Sequence, residues 1–466
     1  MVNLKDKIQY SIKQALKYAY SVVPLPIRYG RVFRDTYKFL QESQWWDRRK
    51  LEEYQIRQLE LLIKHAYNNV PYYRRIFDER GLKPKNIKCF DDLRKLPYLT
   101  KHDVRNNLSD LIAKNYPKTK IHYVRTSGSV GIPLSLCWEN GVTDPKESAF
   151  IWRQWNWAGY FFGQKRLILR GNIINKVKDG KRHWCEYNPL QNALVLSSYD
   201  MKNENLSGYI EEIIKFRPEA IQGYPSSLYI LADFLREKKQ KLHGIRCIFT
   251  SSETLLYYQK EKIIMHLGAR IYDHYGNTER NALIMQCEEG NYHIISEYGV
   301  LQLEDADGRL IQEENTVGEI IATGFDNYAM PFIRYRTGDR ALSSNKICTC
   351  GRNFPLLGRI EGRTQEFIVT NYNGYISMTV IHGLHSDIFD NVKQFQFYQD
   401  MPSRVILKIV KRDAYSEMDS SKIINKLQEE LGHEMDIQLV FVNEIPRSAG
   451  GKLGCLEQKL HIRYGE

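Results

Sequence analysis

Between residues 165 and 275, short apolar runs alternate with amphipathic segments, and this alternation limits the fold more than any other feature of the chain. The runs are Arg166-Leu167-Ile168-Leu169-Arg170, Ala193-Leu194-Val195-Leu196, Ala220-Ile221-Gln222, Cys247-Ile248-Phe249 and Arg270-Ile271-Tyr272. The spacing predicts helices near 206–216, 226–238 and 254–267 between the later runs. Strand-helix-strand units of this kind pack as a parallel sheet with right-handed crossovers, which makes an α/β protein.

Open parallel sheets bind ligands beyond the carboxyl ends of their strands. Those ends carry Gly223-Tyr224-Pro225-Ser226, Thr250-Ser251-Ser252-Glu253-Thr254 and Asp273-His274-Tyr275-Gly276-Asn277-Thr278-Glu279, polar turns that would converge on one rim. Upstream, Arg125-Thr126-Ser127-Gly128-Ser129-Val130-Gly131-Ile132-Pro133 sets hydroxyls and glycines between two strand-like runs. Glycine lets backbone N–H groups approach a polyanion closely, and small hydroxyls add donors, so the loop is a candidate phosphate cradle. A Gly/Ser turn between strands is also the ordinary make-up of a hairpin. It is not a Walker A loop, because no Lys-Ser/Thr follows the second glycine and Leu134 to Trp138 reads as a strand.

Residues 45–116 read as helical, with Leu51, Tyr54, Leu59, Leu62, Ile63 and Ala66 on one face before Asn68-Asn69-Val70-Pro71. After Gly299 the pattern becomes strand-rich. Beyond Gly362, strands at 392–398, 404–410 and 436–442 and a helix capped by Asp419-Ser420-Ser421 suggest a compact α+β unit. The expected organisation is a large domain of residues 1–362, whose first 116 residues are helical, and a small mobile lid domain of residues 363–466.

The formal charge of +12 over 466 residues suits anionic partners. No helix-turn-helix, zinc-finger spacing or aromatic-basic interleaving supports nucleic-acid binding. Eight cysteines at irregular spacing, with no secretory segment or apolar run of transmembrane length, predict a reduced, cytoplasmic protein with free thiols. Near the N-terminus, Leu4, Ile8, Ile12, Ala15, Leu16 and Ala19 form an apolar stripe beside Lys5, Lys7, Lys13 and Lys17. That stripe fits a helix packed on the body with a solvated basic face, or peripheral docking on the inner face of a membrane.

Taken in order, the 125–133 loop, Tyr275 to Glu279, Tyr335-Arg336-Thr337-Gly338-Asp339, Gly362-Arg363-Thr364 and Pro446-Arg447-Ser448-Ala449-Gly450-Gly451-Lys452 resemble the signature segments of the AMP-forming, adenylate-producing ligases. Val70-Pro71-Tyr72-Tyr73-Arg74, Lys95-Leu96-Pro97-Tyr98-Leu99-Thr100-Lys101 and Cys350-Gly351-Arg352 are similar to the phenylacetate-CoA ligase group and its relatives in capsular polysaccharide synthesis. The resemblance runs from about residue 45 to the end. It implies a reaction in which ATP and Mg²⁺ activate a small-molecule carboxylate as acyl-AMP with loss of pyrophosphate. The acyl group then passes to CoA, or to an amine or hydroxyl on a sugar or carrier.

The resemblance also implies roles. Thr126, Ser127, Gly128, Ser129 and Gly131 would cradle phosphates, Thr278 would meet the α-phosphate, and Glu279 would hold Mg²⁺. Tyr275 and Gly276 would lie against adenine with Ser252 and Glu253 at its edge. Asp339 would take both ribose hydroxyls, Arg363 ribose or phosphate, and Lys452 the α-phosphate and the carboxylate. Leu134 stands where the superfamily commonly has Lys, and Gln365 stands in place of the usual hinge acid, which puts an ionic pivot in doubt.

Cys287, His293, Cys348 and Cys350 would make a closed structural zinc site, as in some members of the group, or remain thiols packed near strand ends. Trp152, Trp155, Trp157, Tyr160, Phe161 and Phe162 either shape an aromatic acid pocket or belong to the core. The competing functions are adenylyl transfer to a cofactor hydroxyl and a non-catalytic basic scaffold.

Overall fold

The computed structural model describes residues 16–126, 134–172, 174, 177–178, 181–182, 184–201, 203–363, 367–370, 375–377, 386–447 and 453–460. Its apolar runs become the strands Arg166–Arg170, Ala193–Ser197, Ala220–Gly223, Cys247–Ser251 and Arg270–Gly276. They lie side by side and parallel, with Ala193–Ser197 outermost, then Arg166–Arg170, then the other three in sequence order. The connecting helices Asn203–Phe216, Pro225–Glu237 and Tyr257–Leu267 pack on one face.

Period-two alternation divides each strand between two cores. Leu167, Leu169, Ile221, Ile248 and Ile271 meet those three helices. Phe249 and Tyr272 point the other way, toward the helix Thr143–Trp157. Trp152, Trp155, Trp157 and Tyr160 are buried in that second core, with Phe162 partly buried against it and Phe161 54 % exposed. Of the two readings of this aromatic cluster, the burial supports the core. Trp155 packs 5.3 Å from Phe249, so these rings fill the space between helix and sheet.

Sequence periodicity did not reveal that the strand-rich stretch after Gly299 extends the same sheet. Past Arg270–Gly276 come Leu283–Gln286, Tyr292–Ile294, Leu356–Arg363, Tyr335–Ser343, Val317–Gly324 and Gly299–Glu304, all antiparallel, and Cys185–Asn188 closes the far edge. The result is one mixed sheet of twelve strands among the described residues.

Ahead of the sheet, Asp47 caps the helix Arg48–Asn69 through its bond from the Lys50 N–H. That helix ends at Asn69, within the expected stop Asn68-Asn69-Val70-Pro71, and Pro71 has a second use. It opens the next helix, Pro71–Glu79, at a position where its missing N–H costs no bond. The helix Gly30–Ser43 is anchored by Ser43, whose hydroxyl donates to Glu297 at 2.6 Å. Glu297 also pairs with Arg153 at 2.7 Å, both side chains being fully buried. Of the N-terminal apolar stripe, Leu16 and Ala19 fall among the described residues, and both are exposed. No helix among the described residues is long and apolar enough to cross a membrane.

The C-terminal unit is a four-stranded sheet ordered Asp436–Phe441, Arg404–Lys411, Val392–Met401, Leu456–Gln458, backed by the helix Glu417–Leu431. A Ser416/Asp419 capping box starts that helix, three residues earlier than Asp419-Ser420-Ser421 implied. The unit docks on the large domain. Arg412 pairs with Asp233 and Glu237, and Phe395 lies 5.6 Å from Tyr258. Leu256 and Tyr258 belong to its core cluster.

Breaking a buried ion pair leaves an uncompensated charge. Glu297→Gln and Arg153→Met are each expected to cost about 3–5 kcal/mol, with the double variant losing less than the sum of the two. Chemical denaturation of the four proteins measures this. Additive losses would show that the two charges are not coupled.

Candidate functional site

The two motifs that end in an acid are tied together by their own tyrosines. Tyr275, next to last in the strand Arg270–Gly276, donates to Asp339 Oδ2 at 2.6 Å. Tyr335 opens the strand Tyr335–Ser343 and donates to Glu279 Oε1 at 2.8 Å. Each phenol thus reaches the carboxylate of the other motif. Burial, followed by the charge of Asp339, raises the Tyr275 pKa well above its ordinary value, so the phenol stays a donor. Asp339 is further oriented by its own N–H, which donates to the Thr337 hydroxyl at 3.0 Å. Gly338 takes φ +76° in that turn. A Cβ there would stand 3.7 Å from Lys101 Nζ, placing Lys101 beside the turn.

Around Thr278 and Glu279 the backbone is fixed from the side. Trp138, on the strand Ser135–Glu139, donates from Nε1 to the Thr278 carbonyl at 3.0 Å. Arg280 takes φ +57°, stacks 4.5 Å over Trp138 and pairs with Glu147 at 2.5 Å and Asp144 at 3.4 Å. Glu279 is 8 % exposed. Its Oε1 accepts from Tyr335, and among the described residues no cation pairs with it and nothing bonds its Oε2.

Ser127, Gly128, Ser129 and Gly131 lie outside the described residues. Their loop is framed by a reciprocal clasp, in which Thr126 N donates to the Leu134 carbonyl and Leu134 N donates to Thr126 Oγ1, both at 2.9 Å. Lys452 and Gln365 also lie outside the described residues. The backbone of Arg363 pairs in register with Asp339.

Ser252 and Glu253 stand on the same rim, with partners the sequence did not predict. Ser252 has φ +70° and accepts from Arg170 at 2.7 Å. Glu253 turns to the first turn of the helix Pro225–Glu237, taking the Ser226 N–H at 2.9 Å and its hydroxyl at 3.0 Å. Arg447, from the C-terminal motif, comes close to Glu253. Burial lowers its pKa, and the charges of Glu253 and Tyr209 oppose that shift. Gly223 is needed where it stands, because a Cβ would meet Leu228 at 2.8 Å and the Leu169 carbonyl at 3.0 Å.

Cys287, His293, Cys348 and Cys350 come together from three separate segments, their ligand atoms all within 4.8 Å of one another. Cys287 Sγ is 3.6 Å from Cys348 Sγ, and Cys350 Sγ is 3.4 Å from His293 Nε2. Tetrahedral zinc, with bonds of about 2.3 Å to sulfur and 2.0 Å to nitrogen, spaces its ligands about 3.8 and 3.5 Å apart. The donor set and spacing fit that ion. Burial pulls the His293 pKa down to about 4, which keeps the imidazole neutral, the form that ligates metals.

Sequence reasoning missed the roles of Tyr335, Trp138, Arg170, His274 and Arg280. One signal was present: both acid motifs place a tyrosine four residues before the carboxylate, Tyr275 before Glu279 and Tyr335 before Asp339.

Residues 368–459 match the family model described as the CapK C-terminal domain. Protein CapK of Staphylococcus aureus is 27% identical over 436 residues, covering 91% of this chain and 92% of that protein. The phenylacetate-coenzyme A ligase of Thermus thermophilus is 25% identical over 440 residues, covering 87% and 96%. Among solved structures, 2-hydroxyisobutyryl-CoA ligase in the postadenylation state in complex with 2-HIB-AMP has a TM-score of 0.69 at 18% identity, covering 90% of this chain and 93% of that one. The chain therefore has the fold of the AMP-forming CoA ligases. It is a homologue of protein CapK and of the phenylacetate-coenzyme A ligases.

A phenol–carboxylate hydrogen bond inside a protein contributes about 1.5–3 kcal/mol when the acceptor is charged. Tyr335→Phe and Tyr275→Phe are each expected to lower stability by that amount in urea denaturation. Neutral substitutions at both positions would mean that the crossed bonds do not hold the motifs together.

Proposed function

We propose that this chain is an ATP-dependent, AMP-forming ligase that adenylates a carboxylic acid and passes the acyl group to CoA or to an amine or hydroxyl acceptor. The observation that carries the reading is the crossed pair of tyrosine bonds, which holds Asp339, the proposed ribose acceptor, and Glu279, the proposed metal ligand, on one rim. The kinship with ligases supports it.

In the first step an oxygen of the acid forms a bond to the α-phosphorus of ATP. The bond from that phosphorus to the oxygen bridging to the β-phosphate breaks, and pyrophosphate leaves. In the second, a thiol, amine or hydroxyl attacks the acyl carbon, loses its proton, and AMP departs. Asp339 would accept both ribose hydroxyls and fix the nucleoside, while the Thr278 hydroxyl would donate to the α-phosphate. A carboxylate as buried as Glu279, lacking a cation among its described neighbours, suits a bound Mg²⁺. Such an ion, when bound, would supply positive charge against the departing phosphates. Ser127, Gly128, Ser129, Gly131 and Lys452 would complete the cradle, roles that rest on the resemblance. The similarity to the phenylacetate-coenzyme A ligases favours CoA among these acceptors.

The test is acid-dependent pyrophosphate release and ATP–pyrophosphate exchange across a panel of carboxylates. Removing a preorganised electrostatic contact costs about 10²–10³ in rate, so Asp339→Asn and Glu279→Gln are each expected to lose at least about a hundredfold. Release without any acid, or AMP appearing on a cofactor hydroxyl, would sink the proposal.

The cysteine cluster is proposed as a structural zinc site, since four protein ligands leave no open position for chemistry. Metal analysis of purified protein is expected to give about one zinc per chain. Cys348→Ser/Cys350→Ser is expected to lose the metal and melt at lower temperature. Freely titrating thiols at Cys287, Cys348 and Cys350 in metal-free, fully stable protein would contradict it.

A further inference from the structure

The rim carries a cation that the proposed chemistry does not use. Arg170 ends the strand Arg166–Arg170, after the apolar run Leu167-Ile168-Leu169. Neighbouring parallel strands in register point matched side chains to the same face. Arg170 therefore falls in one row with Tyr224, Ser251 and His274, since Leu169 pairs with Gly223, Gly223 with Thr250, and Ser251 with His274. The contacts agree. The Arg170 guanidinium lies 5.1 Å over the Tyr224 ring and donates to Ser251 Oγ at 3.2 Å and Ser252 Oγ at 2.7 Å, crossing one strand to do so.

The two arginines near this row differ in how their charge is matched. Arg280 is matched by Glu147 and Asp144. Arg170 pairs with no carboxylate among the described residues; hydroxyls alone receive its N–H groups. His274 Nδ1 is buried with no hydrogen-bond partner. Burial, with Arg170 and Arg280 nearby, pulls the His274 pKa down to about 3, so the ring is neutral and offers a hydrogen bond without cancelling the guanidinium.

Position separates this row from the proposed ribose acceptor. Asp339 lies on a strand four places from Arg270–Gly276 in the sheet, and Arg170 lies three places away on the opposite side. Thr278 follows the strand between them. The row faces the helix Thr143–Trp157, as Phe249 and Tyr272 do, whereas the turn at Ser252 sends Glu253 to the helix Pro225–Glu237 on the other face. A group joined to the α-phosphate and extending away from the ribose would run toward Arg170.

We infer that the acid this chain activates carries a second anionic group, and that Arg170, with His274 beside it, binds that group. The substrate class is thus a dicarboxylic acid, or an acid with an equivalent anionic tail. This inference rests on the ligase reading and specifies its substrate.

ATP–pyrophosphate exchange is measured with three acids of one chain length: the α,ω-dicarboxylate, its half-amide and the monocarboxylate. The wild type is expected to favour the dicarboxylate at least tenfold in kcat/KM over both others. Arg170→Met is expected to lower that preference at least tenfold through KM for the dicarboxylate, and Arg170→Lys to retain part of it. Melting curves check that the variants fold, and the wild-type comparison stands whether or not they do. Equal turnover of the three acids, or a rise in KM for ATP in place of the acid when Arg170 is changed, overturns this inference and leaves the ligase reading intact. No exchange with any acid overturns both.

Discussion

Two phenol hydroxyls, each bonded to the carboxylate at the end of the other's motif, set the geometry on which the site depends. Tyr275 and Asp339 are 64 residues apart, and Tyr335 and Glu279 are 56 apart. Between them the chain runs through most of the antiparallel half of the sheet. A hydrogen bond to a charged acceptor is among the stronger non-covalent contacts in a protein, and leaving either buried acid without its donor carries a desolvation cost. The crossed pair therefore does more than add stability. It couples the folding of the antiparallel extension to the position of the rim.

Everything else at the rim is arranged so that these acids stay where they are. Trp138 fixes the Thr278 carbonyl from a separate hairpin, and Arg280 spends its charge on Glu147 and Asp144 and not on Glu279. Farther out, the fully buried pair of Arg153 and Glu297 and the Ser43 hydroxyl tie the N-terminal helices to the helix that roofs the sheet. Asp233 holds Arg412 of the small domain while also receiving Lys262 and Arg236. That junction brings Arg447, five residues ahead of Lys452, close to Glu253.

The parallel half of the sheet was legible because its strands are short apolar runs bounded by polar turns, and all five expected strands appear within a few residues of their reading. The antiparallel half was read as strand-rich but not as a continuation of the same sheet, since pairing partners there are far apart in sequence and leave no local period. The cap of the Glu417–Leu431 helix was misplaced because Ser416 and Asp419 offer a reciprocal box that lies before the first periodic residue. At the site, residue types pointed to the motifs, whereas the use of Glu253 as a helix cap and of tyrosine hydroxyls as cross-ties depends on tertiary neighbours. The four residues of the cysteine–histidine cluster were named from the sequence, but their convergence depends on strand pairing. Their ligand atoms converge because Tyr292–Ile294 pairs with both Leu283–Gln286 and Leu356–Arg363.

The central claim is that Glu279 and Asp339 serve a single nucleotide. A crystal structure with Mg²⁺ and a non-hydrolysable ATP analogue tests it most directly. The account predicts both ribose hydroxyls on the Asp339 carboxylate, the metal on Glu279, and the crossed tyrosine bonds unbroken. A nucleotide seated elsewhere, or one whose binding separates Tyr335 from Glu279, would contradict it.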